Sequence, residues 1–139
     1  MDELRFFVDR SLGNHVVPNA LRAAGWVVVT MRDRYGEVTA QQLADIQWIP
    51  EAAELGDVIL TADKAIARRP LEALAVIQAE ARVFALGNNQ ITGAQAAGRL
   101  IENERAIFRK AREQPGPYVV SVTGSGLQTV KLNRGGAAP

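Results

Sequence analysis

Two short apolar segments of the chain each lead into an aspartate. Residues 6–8 lead into Asp9, and residues 58–62 lead into Asp63. Both segments have the length and composition of buried β-strands. Because the carboxyl ends of neighbouring parallel strands open onto one crevice, we expect the two carboxylates to converge there.

Helix and strand patterns alternate along the chain, which predicts an α/β fold with a mostly parallel sheet and helices on both faces. The predicted strands are residues 4–8, 26–30, 58–61, 82–86, 118–123 and 127–132. The predicted helices are residues 16–24, 39–49, 50–55, 70–80 and 92–113. The last two strands flank a Gly-Ser-Gly turn and predict a C-terminal β-hairpin. We expect one domain over residues 1–133 and a disordered tail over 134–139.

A third acid, Asp45, lies between the two strand-end aspartates in a helical pattern. Two unit charges about 4 Å apart repel by roughly 4 kcal/mol at an effective dielectric of about 20, so three converging carboxylates need a cation or protonation. Carboxylate oxygens suit a hard ion such as Mg²⁺ or Mn²⁺. The three aspartates are therefore the candidate metal ligands and catalytic residues.

Composition restricts the other possibilities. The 139 residues carry a net charge of +1 and contain no cysteine, so thiolate metal sites and cysteine nucleophiles are excluded. No apolar run reaches transmembrane length and the N-terminus has no signal-peptide pattern, so we expect a cytoplasmic protein without a membrane partner.

The order of these features resembles a known family. A strand ending at Asp9, a helix, a strand, Asp45 shortly before Trp48, and then the segment 60–63 are similar to the PIN-domain fold, most closely to compact PIN-like proteins related to VapC-type toxins. The resemblance covers about residues 5–90. It implies a ribonuclease that uses Mg²⁺ or Mn²⁺, an RNA substrate, a homodimer, and a toxin role with an antitoxin partner that covers the acidic crevice.

The chain departs from the family pattern at the fourth acidic position. PIN domains usually bring four acids to the site, and many compact relatives place a glutamate directly after the first aspartate, where this chain has Arg10. Asn88 and Asn89, after the fourth strand, are candidates for a neutral fourth position, because an amide oxygen can bind a metal or orient water. The alternative is an ordinary turn after Gly87.

Several basic residues are predicted to lie near the crevice, where they would bind RNA phosphates without reading sequence. These are Arg10, Arg32, Arg34, Lys64, Arg68 and Arg69. The alternative is that they are solvated helix ends and local ion pairs.

Other interpretations of the acids remain open. Asp9 and Asp63 each precede a segment that they could cap as helix N-terminal residues, and Asp45 alone could be a solvated surface acid. A phospho-acceptor receiver-like domain also places aspartates at strand ends around Mg²⁺. A PIN-like module without catalysis, which binds RNA or a protein, is the other alternative.

Overall fold

A computed structural model of the chain describes residues 3–87 and 91–135. In these residues the strands are β1 Arg5–Val8, β2 Val27–Thr30, β3 Val58–Thr61, β4 Arg82–Ala85, β5 Tyr118–Thr123 and β6 Gly126–Val130. They form one sheet in the order β2-β1-β3-β4-β5-β6. Strands β1 to β5 are parallel to one another, and β6 returns antiparallel to β5. The predicted mostly parallel sheet and C-terminal hairpin are confirmed.

Helices connect the strands. They are α1 Val16–Ala23, α2 Met31–Tyr35, α3 Glu37–Gln42, α4 Asp45–Glu54, α5 Pro70–Ala79, α6 Gly93–Glu102 and α7 Glu104–Glu113. Short 3-10 turns follow β1 at Arg10–Leu12 and β3 at Lys64–Ala67. Within the described ranges, no helix is long and apolar enough to cross a membrane.

Successive residues of β1 face opposite sides of the sheet, and each side carries a helical layer. Phe6 packs against Trp26 and Phe108, with ring centroids 4.7 and 5.1 Å away, in the core that includes α1, α6 and α7. Phe7 packs against Trp48 at 5.1 Å, in the core that includes α4 and α5. This two-residue alternation is that of a strand buried on both faces, and it confirms helices on both sides.

The chain between β2 and β3 is more helical than the sequence pattern predicts. The expected loop at residues 31–38 forms α2 and the start of α3. The expected helix that begins at Thr39 and includes Asp45 is wrong, because Asp45 is itself the first residue of α4. Pro50 lies inside α4 rather than opening a new helix. Proline has no N–H to donate, so the carbonyl of Ile46 receives no helical hydrogen bond from residue 50.

The predicted single helix over 92–113 is divided at Asn103. Its start is confirmed, because the Thr92 hydroxyl and Gln95 form a capping box at the beginning of α6. At the division, the Asn103 side-chain amide donates to the carbonyls of Arg99 at 2.8 Å and Thr123 at 3.3 Å. These bonds tie the end of α6 to the β-hairpin, and α7 begins at the next residue, Glu104.

The sheet order places the two strand-end aspartates at one edge. Strand β2 lies on one side of β1, and β3 lies on the other. The order in which strands are added to the sheet therefore reverses between β1 and β3. Ligands of open parallel sheets bind at the carboxyl ends of strands at such a point. Asp9 follows β1 and Asp63 follows β3 by two residues, so both lie at this edge.

Candidate active site

Asp9 is a buried carboxylate held by two hydroxyl groups. The residue is 4% exposed. Its Oδ2 atom accepts hydrogen bonds from Ser11 Oγ and from Thr61 Oγ1, each at 2.8 Å. Its Oδ1 atom is buried and has no hydrogen-bond partner among the described residues. A buried carboxylate oxygen without a partner is costly, so this atom is suited to a ligand that supplies positive charge.

Two backbone N–H groups directly after β3 orient the hydroxyl groups of Ser11 and Thr61. Ser11 Oγ accepts from the N–H of Ala62 at 3.0 Å, and Thr61 Oγ1 accepts from the N–H of Asp63 at 3.1 Å. Each hydroxyl therefore accepts a backbone proton and directs its own proton to Asp9. The carboxylate has a fixed orientation because β1 and β3 are neighbouring strands.

Asp45 is partly buried at the first residue of α4. Its Oδ1 atom accepts a hydrogen bond from Trp48 Nε1 at 3.1 Å. Burial raises the pKa of Asp45, and the nearby negative charge of Asp9 raises it further. The charge of Arg10 acts in the opposite direction and lowers the pKa of Asp45.

Asp63 is engaged by its own turn and by an arginine. Its Oδ1 atom accepts from the N–H of Ala65 at 3.0 Å, so it caps the 3-10 turn as predicted. Its Oδ2 atom accepts from Arg69 Nη2 at 2.8 Å. This hydrogen bond raises the pKa of the Arg69 guanidinium, and the charges of Glu72 and Asp45 also contribute. Arg69 therefore lies among several of the acids at this edge.

The structure brings the predicted acids to one edge of the sheet but not into a complete ligand set. In residues 3–87 and 91–135, no group of three or more acidic, histidine or cysteine side chains is spaced to hold a metal ion. The charge of Asp9 acts on Asp45, whereas the carboxylate of Asp63 is bound by Arg69. The candidate fourth position, Asn88 and Asn89, lies outside the described residues.

The predicted basic residues have different environments. Arg10 donates to the carbonyls of Ala40 at 2.7 Å and Leu43 at 2.9 Å, and so fixes the chain before α4. The Arg32 guanidinium lies 3.8 Å from Glu37, while Lys64, Arg68 and Arg69 are exposed. These last three lie at the start and the end of the 3-10 turn that comes after β3.

Arg34 forms an ion pair with a second buried acid, which lies at the amino ends of the strands. Asp57 precedes β3 and is 1% exposed. Its Oδ1 atom lies 2.6 Å from Arg5 Nε, and its Oδ2 atom lies 2.7 Å from Arg34 Nη2 in an ion pair without hydrogen-bond alignment. The Arg34 guanidinium also stacks over the Phe7 ring. Arg34 therefore has a structural role away from Asp9.

Three residues of the site were missed by the sequence analysis. Ser11 and Thr61 orient Asp9, and the charge of Glu72 acts on Asp45. Thr61 has a recognisable signal, because it is a polar residue at the end of an apolar strand. Ser11 and Glu72 have none, because their roles depend on contacts between elements that are distant in sequence.

A cleft of about 440 Å³ is lined by one of the three candidate acids, Asp63. Ser11, Asp63 and Arg69 line one side, and the first turn of α6 at Thr92 and Gly93 lines the other. The cleft gives an extended ligand access to the carboxylate edge.

Comparison with known proteins gives one family. Residues 4–88, more than half of the chain, match the family model described as a PIN like domain. A Mycobacterium tuberculosis protein named "Putative ribonuclease VapC45" is 42% identical over 116 residues, which cover 84% of this chain and 83% of the relative. No solved structure matches the chain.

Proposed function

The chain belongs to the PIN-like domain family, and from this membership we propose that it is a metal-dependent endoribonuclease. The observation that carries the proposal is the buried Oδ1 atom of Asp9, which has no partner within the described residues. A purely structural carboxylate would be neutralised by the protein, as Asp57 is by Arg5 and Arg34. Asp9 instead has one oxygen held by hydroxyls and one left for a ligand.

The donor set fits a hard divalent ion such as Mg²⁺ or Mn²⁺, because the candidate ligands are carboxylate oxygens. Asp9 and Asp45 would hold the ion, and Asp63 would join them after leaving Arg69. When bound, such an ion stabilises negative charge on phosphate oxygens and makes water more acidic.

The protein supplies orientation and charge around this centre. Ser11 and Thr61 fix the Asp9 carboxylate, and Trp48 fixes the Asp45 carboxylate. Lys64 and Arg68 are exposed after β3 and would hold phosphates of the RNA strand, and Arg69 would join them after leaving Asp63. Arg32 remains a proposed phosphate contact on the β2 side, whereas Arg10 and Arg34 already bind groups of the protein.

We also propose that the protein is the toxin of a toxin–antitoxin pair that acts on RNA in the cytoplasm. Helices α4 and α5 present an exposed apolar face that includes Ile46 at 44% exposure and Leu71 at 63%. These helices contain acidic residues and no basic ones, and α4 starts at Asp45. An antitoxin segment with apolar and basic side chains would complement this face. The homodimer remains a prediction from the family.

The second candidate is a PIN-like module that binds RNA or a protein without cleaving RNA. The ion pair between Asp63 and Arg69 favours it, because a bound arginine occupies a carboxylate that a metal would need. Membership of the PIN-like family leaves the receiver-like alternative without support.

The test is cleavage of RNA in Mn²⁺, with and without excess chelator. We expect chelator-sensitive cleavage that falls at least about 100-fold in Asp9→Asn and Asp45→Asn, since even residues that only support a metal ligand contribute 10- to 100-fold. Glu54→Gln is the matched control, because Glu54 is an exposed acid at the far end of α4.

Full cleavage in chelator, or in both aspartate variants, would contradict the mechanism. RNA binding by the wild type without any cleavage would favour the second candidate.

A further inference from the structure

A pocket beside the 3-10 turn that follows Asp63 brings Lys131, which the proposed catalytic site does not use, together with Lys64 and Arg68. Its volume is about 530 Å³, and its rim carries Lys64, Arg68 and Lys131. All three side chains are exposed, and none forms an ion pair with another described residue. The described lining contains no acidic side chain. Three cationic side chains on one pocket, with no acidic residue in its described lining, favour the binding of an anion.

The segment after β6 builds one wall of the pocket and is fixed to the turn by backbone contacts. The N–H of Asn133 donates to the carbonyl of Ala67 at 2.8 Å. The side-chain amide of Asn133 donates to the carbonyl of Arg68 at 3.0 Å. Lys131 therefore lines the same pocket as Lys64 and Arg68, although it is more than 60 residues away in sequence.

The pocket is continuous with the carboxylate edge of the sheet. Lys64 directly follows Asp63, and its aliphatic stem lies against Gly87 at the end of β4, where an added Cβ atom would be 2.7 Å from Lys64 Cδ. The floor contains Val130 and Leu132, and long cationic side chains pack their stems on such surfaces while their charged ends stay in solvent. An anion at the rim would therefore lie next to the strand end that carries Asp63.

We propose that Lys64, Arg68 and Lys131 bind a backbone phosphate of the RNA strand, next to the nucleotide that is cleaved. This rests on the proposed function, which supplies RNA as the ligand. Lys131 and Asn133 lie beyond residues 4–88, so the subsite is built partly by the hairpin extension that the family match does not include. The hairpin would thus extend the RNA-binding surface.

The test is binding of a fluorescently labelled single-stranded oligoribonucleotide, measured by anisotropy in excess chelator at several salt concentrations. We expect Lys131→Gln and Arg68→Gln each to weaken binding several-fold. We also expect each to reduce the slope of log K against log salt by about 0.7, the value for one phosphate contact on a single strand. The control is Arg105→Gln, an exposed arginine of α7 next to Glu104, which binds Trp26 at the β2 edge of the sheet.

An affinity and slope for Lys131→Gln equal to those of the wild type would overturn the subsite, as would equal losses in Arg105→Gln. Because cleavage plays no part in this measurement, failure of the subsite leaves the nuclease proposal intact. Conversely, the wild-type protein could bind RNA through Lys131 without cleaving it in Mn²⁺. This result would contradict the nuclease proposal and support the subsite.

Discussion

Two aspartates are buried at opposite ends of the parallel strands, Asp57 at the amino ends and Asp9 at the carboxyl ends. Their negative charges are compensated differently. Asp57, before β3, is contacted by the guanidinium groups of Arg5 and Arg34. Asp9, after β1, receives only the hydroxyls of Ser11 and Thr61, and one of its oxygens has no partner within the described residues. Both acids are almost fully removed from solvent.

The difference separates a structural acid from a functional one. A buried carboxylate with its own cations joins elements of the fold, since Asp57 connects the start of β1, the helix α2 and the start of β3. A buried carboxylate without a cation is unfavourable in isolation, and a ligand can relieve this cost. Substitution of the two acids should therefore affect different properties.

The largest effect is expected for Asp57→Asn. The substitution leaves Arg5 and Arg34 without their counter-charge, and breaking a buried ion pair by removing one partner costs about 3 kcal/mol or more. We expect the melting temperature to fall by roughly 10 °C, measured by thermal denaturation. The double variant Asp57→Asn with Arg34→Met should recover part of the loss. A loss below about 1 kcal/mol would remove the distinction between the two acids.

For Asp9→Asn we expect the opposite pattern. In chelator the melting temperature should be unchanged or higher, because an uncompensated buried charge is removed. The wild type should be stabilised by Mn²⁺, by about 2.7 kcal/mol at a concentration 100 times the Kd, and the variant should lose most of this gain. Thermal denaturation with and without Mn²⁺ measures both. Destabilisation in chelator as large as that of Asp57→Asn would assign Asp9 a structural role.

Asp45→Asn tests the same difference through pH. Burial raises the pKa of Asp45, so the folded state favours the protonated acid. The stability that this contributes is fully present below the ordinary value of 3.8 and is lost as pH rises through the raised pKa. In chelator, Asp45→Asn should therefore become more stable relative to the wild type as pH rises from 3 to 7. A difference in melting temperature that does not change with pH would contradict this, and Glu54→Gln is the control.

The smallest effect on stability is expected for Arg69→Met. Arg69 is exposed, so loss of its ion pair with Asp63 should cost less than about 1 kcal/mol. Release of the Asp63 carboxylate should, however, increase the stabilisation by Mn²⁺ above that of the wild type. Arg68→Met, which leaves Asp63 paired, is the control for the metal-dependent shift in melting temperature. Equal shifts in both variants would mean that Arg69 does not compete with the metal.

Much of the fold follows from local pattern. The apolar strands and the helix starts at Pro70 and Thr92 are all encoded within a few residues, and the structure confirms them. The division at Asn103 was not predictable, because it depends on a bond to Thr123 in the hairpin. The predicted helix boundaries between β2 and β3 were wrong because the short helices there have little hydrophobic periodicity.

The candidate site was predictable only in part. The strand ends locate Asp9 and Asp63 at one edge, but an aspartate beside a strand describes Asp57 equally well. Arg5 lies 52 residues from Asp57, so sequence alone does not show which acid has a cationic partner. The hydrogen bond between Arg69 and Asp63 is also not predictable from the sequence, since it depends on the side-chain direction within a turn.

The opposite orientations of Phe6 and Phe7 make the length of β1 critical. One inserted or deleted residue in this strand would exchange the aromatic rings between the two helical layers. It would also move Asp9 away from the hydroxyl of Thr61, which comes from the neighbouring strand. Changes in chain length should therefore be tolerated in the hairpin turn at Gly124 and Ser125, which are exposed, but not between Arg5 and Asp9.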